Sequence, residues 1–344
     1  MNKLKMGIIG TGGIAQARHI PSYLKLQDKV EIVAVYDINQ PLAETVAEKF
    51  QIPYVFDNYH DLLVKVDAVT ICTPNKFHAE ISIAALEAGV HVLCEKPMAM
   101  NAEEGKLMIE AARKANKLLS IAYHYRFLEN TTVAKQASLE IGDPLVTRVQ
   151  ALRRRKVPGW GVFTNKELQG GGSLIDFGCH LLDLSLWLLD EPEPLEVTGT
   201  SYNRLSKLPN QVNDWGSFDS ETFEVDDHVT AYIKFSDYSS LLFECSWAAN
   251  IKEDYVNVSI SGVDGGLNVF PYETYQPKNG KMTTTTAADL DENHENAGYL
   301  QAKNFVESCL GEAELISKPE QALKVTKIID AIYKSSETGE SVRL

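Results

Sequence analysis

Short apolar runs alternate with helical periodicities over the first 120 residues of the chain. Runs rich in β-branched residues predict strands at residues 5–10, 31–37, 68–73, 91–96 and 118–123. The apolar spacing between these runs predicts helices at residues 13–25, 40–50, 78–89 and 101–116. Strands that are apolar throughout are typical of a parallel sheet covered by helices on both faces. This part of the sequence therefore predicts an α/β domain.

The pattern changes after about residue 124, where strand signals follow one another without intervening helices. The predicted strands cover residues 145–156, 228–236, 239–250 and 255–262. Helical patterns cover residues 130–140, 173–189, 297–310 and 319–337, and the polar stretch 283–296 predicts an exposed loop. Successive strands favour an antiparallel sheet. We therefore predict two domains, 1–123 and 124–344, the second of the α+β class, with a terminal helix that could pack back on the first.

A glycine-rich turn, GIIGTGGIA at residues 7–15, lies between the first predicted strand and the first predicted helix. Gly10, Gly12 and Ala15 fit the pattern G-x-G-x-x-G/A, in which small residues permit a tight turn and close approach of a pyrophosphate. The N-terminus of the following helix attracts the phosphates. We therefore predict that Gly10, Gly12, Gly13, Ile14 and Ala15 bind a dinucleotide.

A carboxylate, Asp37, ends the second predicted strand, where it can accept hydrogen bonds from a ribose diol. It would repel a 2′-phosphate, and the next residues, Ile38 and Asn39, supply no cation. The sequence therefore favours NAD over NADP. Arg18 leaves an alternative open, because it could either reach the ribose region or lie on a helix surface.

Polar residues also follow the third and fourth predicted strands, at CTPNKFH (72–78) and CEKPMAM (94–100). Ligands of open parallel sheets bind beyond the carboxyl ends of the strands. We therefore expect cofactor contacts from Thr73, Pro74, Asn75, His78, Glu95 and Lys96. Lys96 could also stabilise negative charge on a substrate oxygen, and the alternative is a surface lysine paired with Glu95.

The stretch GGGSLIDFGCHLLDL (170–184) predicts an apolar helix with ionisable residues on one side. Helical spacings of four and three bring Asp176, His180 and Asp183 to that side. Two interpretations remain, a satisfied buried pair that fixes a core helix or a group that performs proton chemistry.

Composition excludes several other classes of protein. The formal net charge of −14 argues against general binding to nucleic acids or anionic membranes. Five cysteines without a CxxC spacing predict a reducing compartment, the cytoplasm, and no structural zinc site. The histidines lack the spacing of metal ligands, so no metal is expected. No stretch approaches the roughly 18 apolar residues that a membrane span requires.

Taken in order, GIIGTGGIA, CTPNKFH, CEKPMAM and GGGSLIDFGCHLLDL resemble the motifs of the Gfo/Idh/MocA family of NAD(P)-dependent oxidoreductases. The resemblance covers nearly the whole chain and implies a Rossmann domain, followed by a domain with a large, mostly antiparallel sheet. That sheet often forms oligomer contacts, which implies a homodimer or homotetramer. The family commonly oxidises a ring hydroxyl of a sugar or cyclitol. Lys96, Asp176 and His180 match its motif lysine, aspartate and histidine.

These matches suggest a catalytic role for each of the three residues. His180 would accept the hydroxyl proton, Lys96 would hold the oxygen, and Asp176 would orient the substrate or His180. Asp183 could join them or pair within the core.

Other residues are candidates for binding the substrate, and each has a structural alternative. Strand alternation across Arg153–Lys156 sends Arg153 and Arg155 one way and Arg154 and Lys156 the other, so one pair could meet the substrate or solvent. The substrate-binding candidates are Lys96, Tyr125, Arg126, Arg155, Trp160, Asp176 and His180.

The sequence leaves the substrate open among neutral sugars, glycosides, anhydrosugars, inositols and sugar phosphates. The main hypothesis is a sugar or polyol dehydrogenase that acts on CH–OH groups. Two alternatives remain, a glycoside hydrolase that uses transient oxidation by bound NAD, and a non-catalytic regulator that binds nucleotide and sugar.

Overall fold

The structure is a computed structural model that describes residues 3–209, 211–287, 290–291 and 293–344. Contacts divide the chain into two compact units. The first unit contains residues 1–127 and 293–323, and the second contains residues 128–292 and 324–344. The prediction placed the division after residue 123, whereas the first unit continues to residue 127 and also takes in residues 293–323.

The described residues form strands and helices with the following bounds. The strands are β1 (Leu4–Ile9), β2 (Val30–Tyr36), β3 (Tyr54–Phe56), β4 (Ala68–Ile71), β5 (His91–Cys94), β6 (Leu119–Ile121), β7 (Pro144–Leu152), β8 (Pro194–Tyr202), β9 (His228–Phe235), β10 (Ser240–Ser246), β11 (Tyr255–Gly262), β12 (Gly266–Asn268), β13 (Glu273–Lys278), β14 (Lys281–Thr286) and β15 (Val342–Arg343). The α-helices are α1 (Ile20–Leu24), α2 (Gln40–Phe50), α3 (Tyr59–Leu63), α4 (His78–Glu87), α5 (Ala102–Ala115), α6 (Glu129–Ala137), α7 (Lys166–Gln169), α8 (Cys179–Leu188), α9 (His294–Cys309) and α10 (Pro319–Thr338).

In the first unit, the described strands form a six-stranded sheet of order β3-β2-β1-β4-β5-β6, and all its neighbours are parallel. The strand order reverses beside β1, and ligands of such sheets bind at that point, beyond the carboxyl ends of the strands. The strands are apolar because both faces of the sheet are covered, and Met6 and Ile8 of β1 are fully buried. The predicted parallel α/β domain is confirmed.

Asparagines mark the ends of helices in this unit. The side chains of Asn39 and Asn101 accept hydrogen bonds from backbone N–H groups in the first turns of α2 and α5, at Leu42 and Glu104. At the other end of α5, Asn116 adopts a left-handed conformation with φ of 53°. These caps explain why the predicted boundaries of α2 and α5 lie close to the observed ones.

In the second unit, the described strands form a nine-stranded sheet of order β14-β13-β12-β11-β7-β10-β9-β8-β15. Every neighbouring pair is antiparallel except β7 and β10. Helix α8 packs against β7 and β11. The predicted large, mostly antiparallel sheet is confirmed.

Several elements lack the patterns that sequence analysis uses. Strand β3 is short and lies at the edge of its sheet, where Tyr54 is exposed. Strand β14 is exposed along its whole length and is held by backbone pairing with β13, so its threonines show no apolar alternation. The predicted loop 283–296 is therefore wrong at both ends, since β14 covers its start and α9 begins at His294. Residues 288, 289 and 292 lie outside the described residues.

Across the part of the chain that the structure describes, none of the helices combines the length and apolar character needed to cross a membrane.

Candidate active site

The glycine-rich turn after β1 contains glycines of two kinds. Gly10 has φ of +89°, and a Cβ there would lie 2.7 Å from the carbonyl carbon and oxygen of Cys72, so backbone shape and packing both require glycine. At Gly12 and Gly13, a Cβ would meet no atom of the described chain within 4 Å. Ile14 precedes a π-helical turn, Ala15–His19, which leads into α1. The turn therefore leaves open space where a pyrophosphate would approach the backbone.

The Asp37 carboxylate is fixed at the end of β2. Its Oδ2 accepts hydrogen bonds from the backbone N–H of Thr11, at 2.7 Å, and from the Thr11 hydroxyl, at 3.1 Å. Its Oδ1 accepts one from the N–H of Asn39, at 2.9 Å. A carboxylate has about four acceptor positions, so capacity for a ribose hydroxyl remains. The glycine turn and this carboxylate together fit a dinucleotide.

Buried His78 connects the ends of β4 and β5. Its Nδ1 lies 2.8 Å from the carbonyl oxygen of Pro97, and its Nε2 lies 3.0 Å from that of Thr73. Burial lowers the pKa of His78, although both carbonyls oppose the shift. A neutral ring donates its one N–H to one of these carbonyls, so His78 lies between the two strand ends, and its cofactor role stays a prediction.

The other predicted residues after β4 present polar groups at the same strand end. Asn75 is buried, and Pro74 precedes it at the start of a short 3₁₀ turn. The Thr73 hydroxyl oxygen is buried and has no hydrogen-bond partner among the described residues. Buried hydroxyls are normally hydrogen-bonded, so this atom is suited to a polar ligand.

The buried Glu95 carboxylate contacts His19 beside Lys96. Its Oε1 lies 2.7 Å from Nε2 of His19, and its Oε2 accepts the backbone N–H of Lys96 at 3.2 Å. Burial opposes ionisation of Glu95, yet His19, Arg18 and Lys96 together lower its pKa to about 2. Lys96 is half-buried, and the peptide bond between Lys96 and Pro97 is cis. The Glu95 carboxylate is therefore held by His19 and the Lys96 backbone rather than by solvent.

A chain of hydrogen bonds runs from Arg18 through two histidines. The Arg18 guanidinium donates to Nδ1 of His124, and Nε2 of His124 lies 3.1 Å from Nδ1 of His294. Because Arg18 can only donate, the His124 proton resides on Nε2, which donates to His294. Burial, followed by the charge of Arg18, lowers the pKa of both histidines, so they are neutral at pH 7. The ring of Tyr125 contacts His294 edge-on, at 5.1 Å between centroids.

Two arginines predicted to bind substrate are engaged by the protein itself. Arg126 is 1% exposed and donates to the Gln321 side chain at 2.6 Å. Arg155 donates to the backbone carbonyls of Ala248 and Ala249. Their guanidinium groups therefore tie chain segments together, and the substrate roles of Arg126 and Arg155 stay predictions.

Residues 153–156 are not a strand, because β7 ends at Leu152. The predicted alternation of side chains therefore does not apply to them. Arg154 and Lys156 both contact the carboxylate of Asp254, through the backbone N–H of Arg154 and the ammonium group of Lys156. Arg153, rather than Arg155, contacts Asp176.

The glycine run before α8 is packed closely against the protein. A Cβ at Gly171 would lie 2.0 Å from the Tyr333 hydroxyl, and one at Gly172 would lie 2.0 Å from the carbonyl oxygen of Asp226. The buried Asp226 carboxylate accepts hydrogen bonds from two backbone N–H groups and two hydroxyls. Its donors are the N–H groups of Gly172 and Leu174 and the hydroxyls of Ser173 and Tyr333. Asp226, which sequence analysis missed, thus fixes the start of the helix.

The helix that follows begins with a π-helical turn, Leu174–Gly178, and continues as α8. The wider π turn changes the spacing rule on which the predicted common face depends. Asp176 accepts hydrogen bonds from Nε1 of Trp247 at 3.0 Å and from Arg153 at 3.4 Å. Its side chain is 17% exposed, whereas His180 is 7% exposed and Asp183 is fully buried. The complete burial of Asp183 favours the interpretation that it pairs within the core.

An aromatic stack extends from Arg153. The Arg153 guanidinium lies over the rings of Phe177, at 4.1 Å, and Trp215, at 4.5 Å. Trp215 packs against the predicted substrate residue Trp160, at 5.4 Å between centroids. Sequence analysis missed Trp215 because it lies in an irregular segment far along the chain.

Family models match both parts of the chain. One, described as an oxidoreductase family with an NAD-binding Rossmann fold, matches residues 4–123, and its C-terminal α/β companion matches residues 137–344. The chain belongs to the Gfo/Idh/MocA family. The predicted resemblance is confirmed, as is the predicted enzyme class at the level of an oxidoreductase that uses a nicotinamide cofactor.

Individual proteins of known name are similar over most of the chain. D-glucoside 3-dehydrogenase of Escherichia coli strain K12 is 37% identical, over 99% of this chain and 97% of that protein. Levoglucosan dehydrogenase of Pseudarthrobacter phenanthrenivorans is 27% identical, over 79% and 75%. A solved levoglucosan dehydrogenase, in complex with NADH and levoglucosan, shares the fold with a TM-score of 0.85, 22% identity and 99% coverage of both chains.

Proposed function

We propose that this oxidoreductase transfers a hydride between a ring-hydroxyl carbon of a sugar, glycoside or cyclitol and NAD. The main support is the similarity to D-glucoside 3-dehydrogenase over nearly the full length of both chains. The chain also has Lys96, Asp176 and His180, which match the lysine, aspartate and histidine of the family's motifs. A glucoside or related sugar is therefore the preferred substrate class.

The cofactor is held by the turn after β1 and by the strand ends of the first unit. Gly12 and Gly13 leave room for the pyrophosphate, and Asp37 accepts the ribose hydroxyls. When bound, the nicotinamide cofactor supplies the hydride acceptor. NAD is preferred over NADP because Asp37 is held in place by Thr11 and Asn39, while Arg18 is engaged with His124.

The protein handles the hydroxyl proton with two residues. The Lys96 ammonium group holds the substrate oxygen and stabilises negative charge as it develops there. An imidazole nitrogen of His180 accepts the proton as the hydride leaves the same carbon, so the hydroxyl becomes a carbonyl. The Asp176 carboxylate, fixed by Trp247 and Arg153, accepts a hydrogen bond from a neighbouring substrate hydroxyl and orients the ring.

The test is an absorbance assay at the NADH band with NAD or NADP and a panel of glucosides, free sugars, inositols and sugar phosphates. We expect NADH to form with at least one glucoside or sugar. Cleavage of a glycoside without net NADH would instead support the hydrolase alternative. Binding of nucleotide and sugar without turnover would support the regulator.

Variants test the residue roles directly. We expect Lys96→Ala and His180→Ala each to lower kcat by about 100-fold or more, in the range for loss of acid–base groups, while NAD still binds. The exposed Lys65 and His60 provide matched controls, and Lys65→Ala and His60→Ala should keep wild-type kcat. Wild-type turnover in Lys96→Ala and His180→Ala would exclude the assigned roles.

We further propose a cytoplasmic homodimer or homotetramer. The nine-stranded sheet exposes large apolar side chains, which are typical of association surfaces. They include Leu195, Tyr202, Tyr232, Leu242 and Tyr255. Light scattering at micromolar concentration should give a multiple of the monomer mass, and a monomer would contradict this assembly. The cytoplasmic location rests on five cysteines that are all free thiols.

A further inference from the structure

Two tryptophans form an exposed aromatic shelf in the second unit. Trp160 is 52% exposed and Trp215 is 37% exposed, and their ring centroids are 5.4 Å apart. Trp247 of the same unit is by contrast fully buried. Exposing two adjacent indoles costs hydrophobic free energy that a ligand would recover.

The loops that carry the shelf are fastened to each other. Asn213 accepts the N–H of Val157 and donates to its carbonyl oxygen, both at 2.8 Å. A Cβ at Gly159 would lie 2.5 Å from the carbonyl oxygen of Ser217, so the two loops also touch there. The tryptophans are therefore held in place before a ligand arrives, which reduces the entropy that binding must overcome.

Arg153 connects the shelf to Asp176. Its guanidinium stacks on Trp215 at 4.5 Å and donates to Oδ2 of Asp176 at 3.4 Å. The same guanidinium also lies over the ring of Phe177, at 4.1 Å. The side chains thus follow one another in the order Asp176, Arg153, Trp215, Trp160, with polar groups at one end and aromatic faces at the other. Pockets that bind small molecules commonly combine aromatic walls with a few fixed polar groups.

We propose that Trp160 and Trp215 bind the aglycone of a glycoside whose sugar ring is the part that is oxidised. The aglycone is a second ring, either aromatic or a pyranose, whose flat or C–H face stacks on the indoles. A monosaccharide has no second ring to cover the two exposed indoles, whereas a cyclic aglycone supplies one. The protein therefore acts on glycosides with a cyclic aglycone in preference to free monosaccharides. This inference rests on the proposed function.

The test compares kcat/KM for phenyl β-D-glucoside, methyl β-D-glucoside and glucose, with NAD. In the wild type, phenyl glucoside should exceed methyl glucoside by about tenfold, as expected for one stacked ring. Trp215→Ala and Trp160→Ala should each lower that ratio several-fold, whereas Trp215→Phe should retain most of it. The fully exposed Tyr238 lies in a turn of the same unit, and Tyr238→Ala should leave the ratio unchanged.

Calorimetry of phenyl glucoside binding provides a second measurement that does not depend on turnover. The wild type should bind phenyl glucoside more tightly than methyl glucoside, and Trp215→Ala should remove the difference while circular dichroism shows an intact fold. If the ratio of kcat/KM for phenyl glucoside to that for methyl glucoside is unchanged in Trp215→Ala and Trp160→Ala, the two tryptophans do not bind the aglycone. The proposed function is unaffected by that result. Absence of NADH with every sugar would overturn the proposed function. The calorimetric comparison of wild type with Trp215→Ala would then test on its own whether the two tryptophans bind the aglycone.

Discussion

Each unit contains a glycine-rich turn before a helix, and the two turns differ in how closely other protein atoms pack against their glycines. Each turn leads into a π-helical turn and then an α-helix, through Ala15–His19 in the first unit and Leu174–Gly178 in the second. In the first, side-chain positions at Gly12 and Gly13 face open space. In the second, positions at Gly171 and Gly172 are filled by Tyr333 and Asp226.

The difference separates two reasons for a glycine. An open position keeps backbone N–H groups accessible to a ligand, so a substitution there should affect binding. A filled position lets protein groups approach the backbone, so a substitution there should affect stability. The following predictions apply this distinction, from the largest expected effect to the smallest.

Gly172→Ala should lower the free energy of unfolding by about 3 kcal/mol or more, because overpacking of a tight site costs that much when backbone must move. The added Cβ would lie 2.0 Å from the carbonyl oxygen of Asp226. Urea denaturation measures the change. A wild-type midpoint would show that this turn is looser than the structure indicates.

Acid should lower the stability that comes from the contact between Glu95 and His19, which lies in the π-helical turn before α1. The pKa of Glu95 falls from an ordinary 4.5 to about 2 in the folded protein, so its contribution is complete above pH 4.5 and lost as the pH falls toward 2. The contribution is roughly 3 kcal/mol at pH 7, at 1.36 kcal/mol per pKa unit. Urea denaturation at pH 7 and at pH 3 measures the free energy of unfolding at each pH. The decrease between pH 7 and pH 3 should be smaller in Glu95→Gln than in wild type. Exposed Glu103 is the control, and Glu103→Gln should keep the wild-type loss.

Tyr333→Phe should lower the free energy of unfolding by about 1.5 kcal/mol, the typical value of a hydrogen bond to a charged group. It removes the hydroxyl that donates to Asp226 at 2.6 Å. The same hydroxyl would clash with a Cβ at Gly171. Gly171→Ala should therefore lower the free energy of unfolding less in Tyr333→Phe than in the wild-type protein. Strict additivity in this double-mutant cycle would argue against direct contact.

Gly13→Ala should change the free energy of unfolding by less than about 1 kcal/mol, because no described atom lies within 4 Å of the new Cβ. Its affinity for NAD should fall about tenfold or more, which corresponds to about 1.4 kcal/mol. Fluorescence titration with NADH measures this. Unchanged affinity would show that the open space is not where the cofactor binds.

The fold was accessible from sequence where burial determines the pattern. The apolar strands of the parallel sheet and the long helices α5 and α10 follow the expected periods closely. Strand β14 escaped prediction because both its faces are exposed, and the return of residues 293–323 to the first unit depends on contacts with distant residues. The hydrophobic pattern of a short segment does not indicate which distant residues it will contact.

Sequence motifs name candidate site residues that lie on one segment, but they miss contacts that join several segments. Asp226 lies between two unremarkable residues, Val225 and Asp227, and its role appears only when the donors around it are known. His294 reaches His124 across 170 residues of sequence. A sequence also cannot show that the guanidinium groups of Arg126 and Arg155 hydrogen-bond to other parts of the protein.

The placement of α9 has a consequence for the order in which the chain can fold. Ala302, Phe305 and Val306 of this helix are buried in the same core as Met6 and Ile8 of β1. Residues 128–292 must therefore be synthesised before the first unit can complete its core. Until then, the nascent parallel sheet exposes the apolar surface that α9 will cover, and a fragment that stops at residue 123 should share that exposure and aggregate.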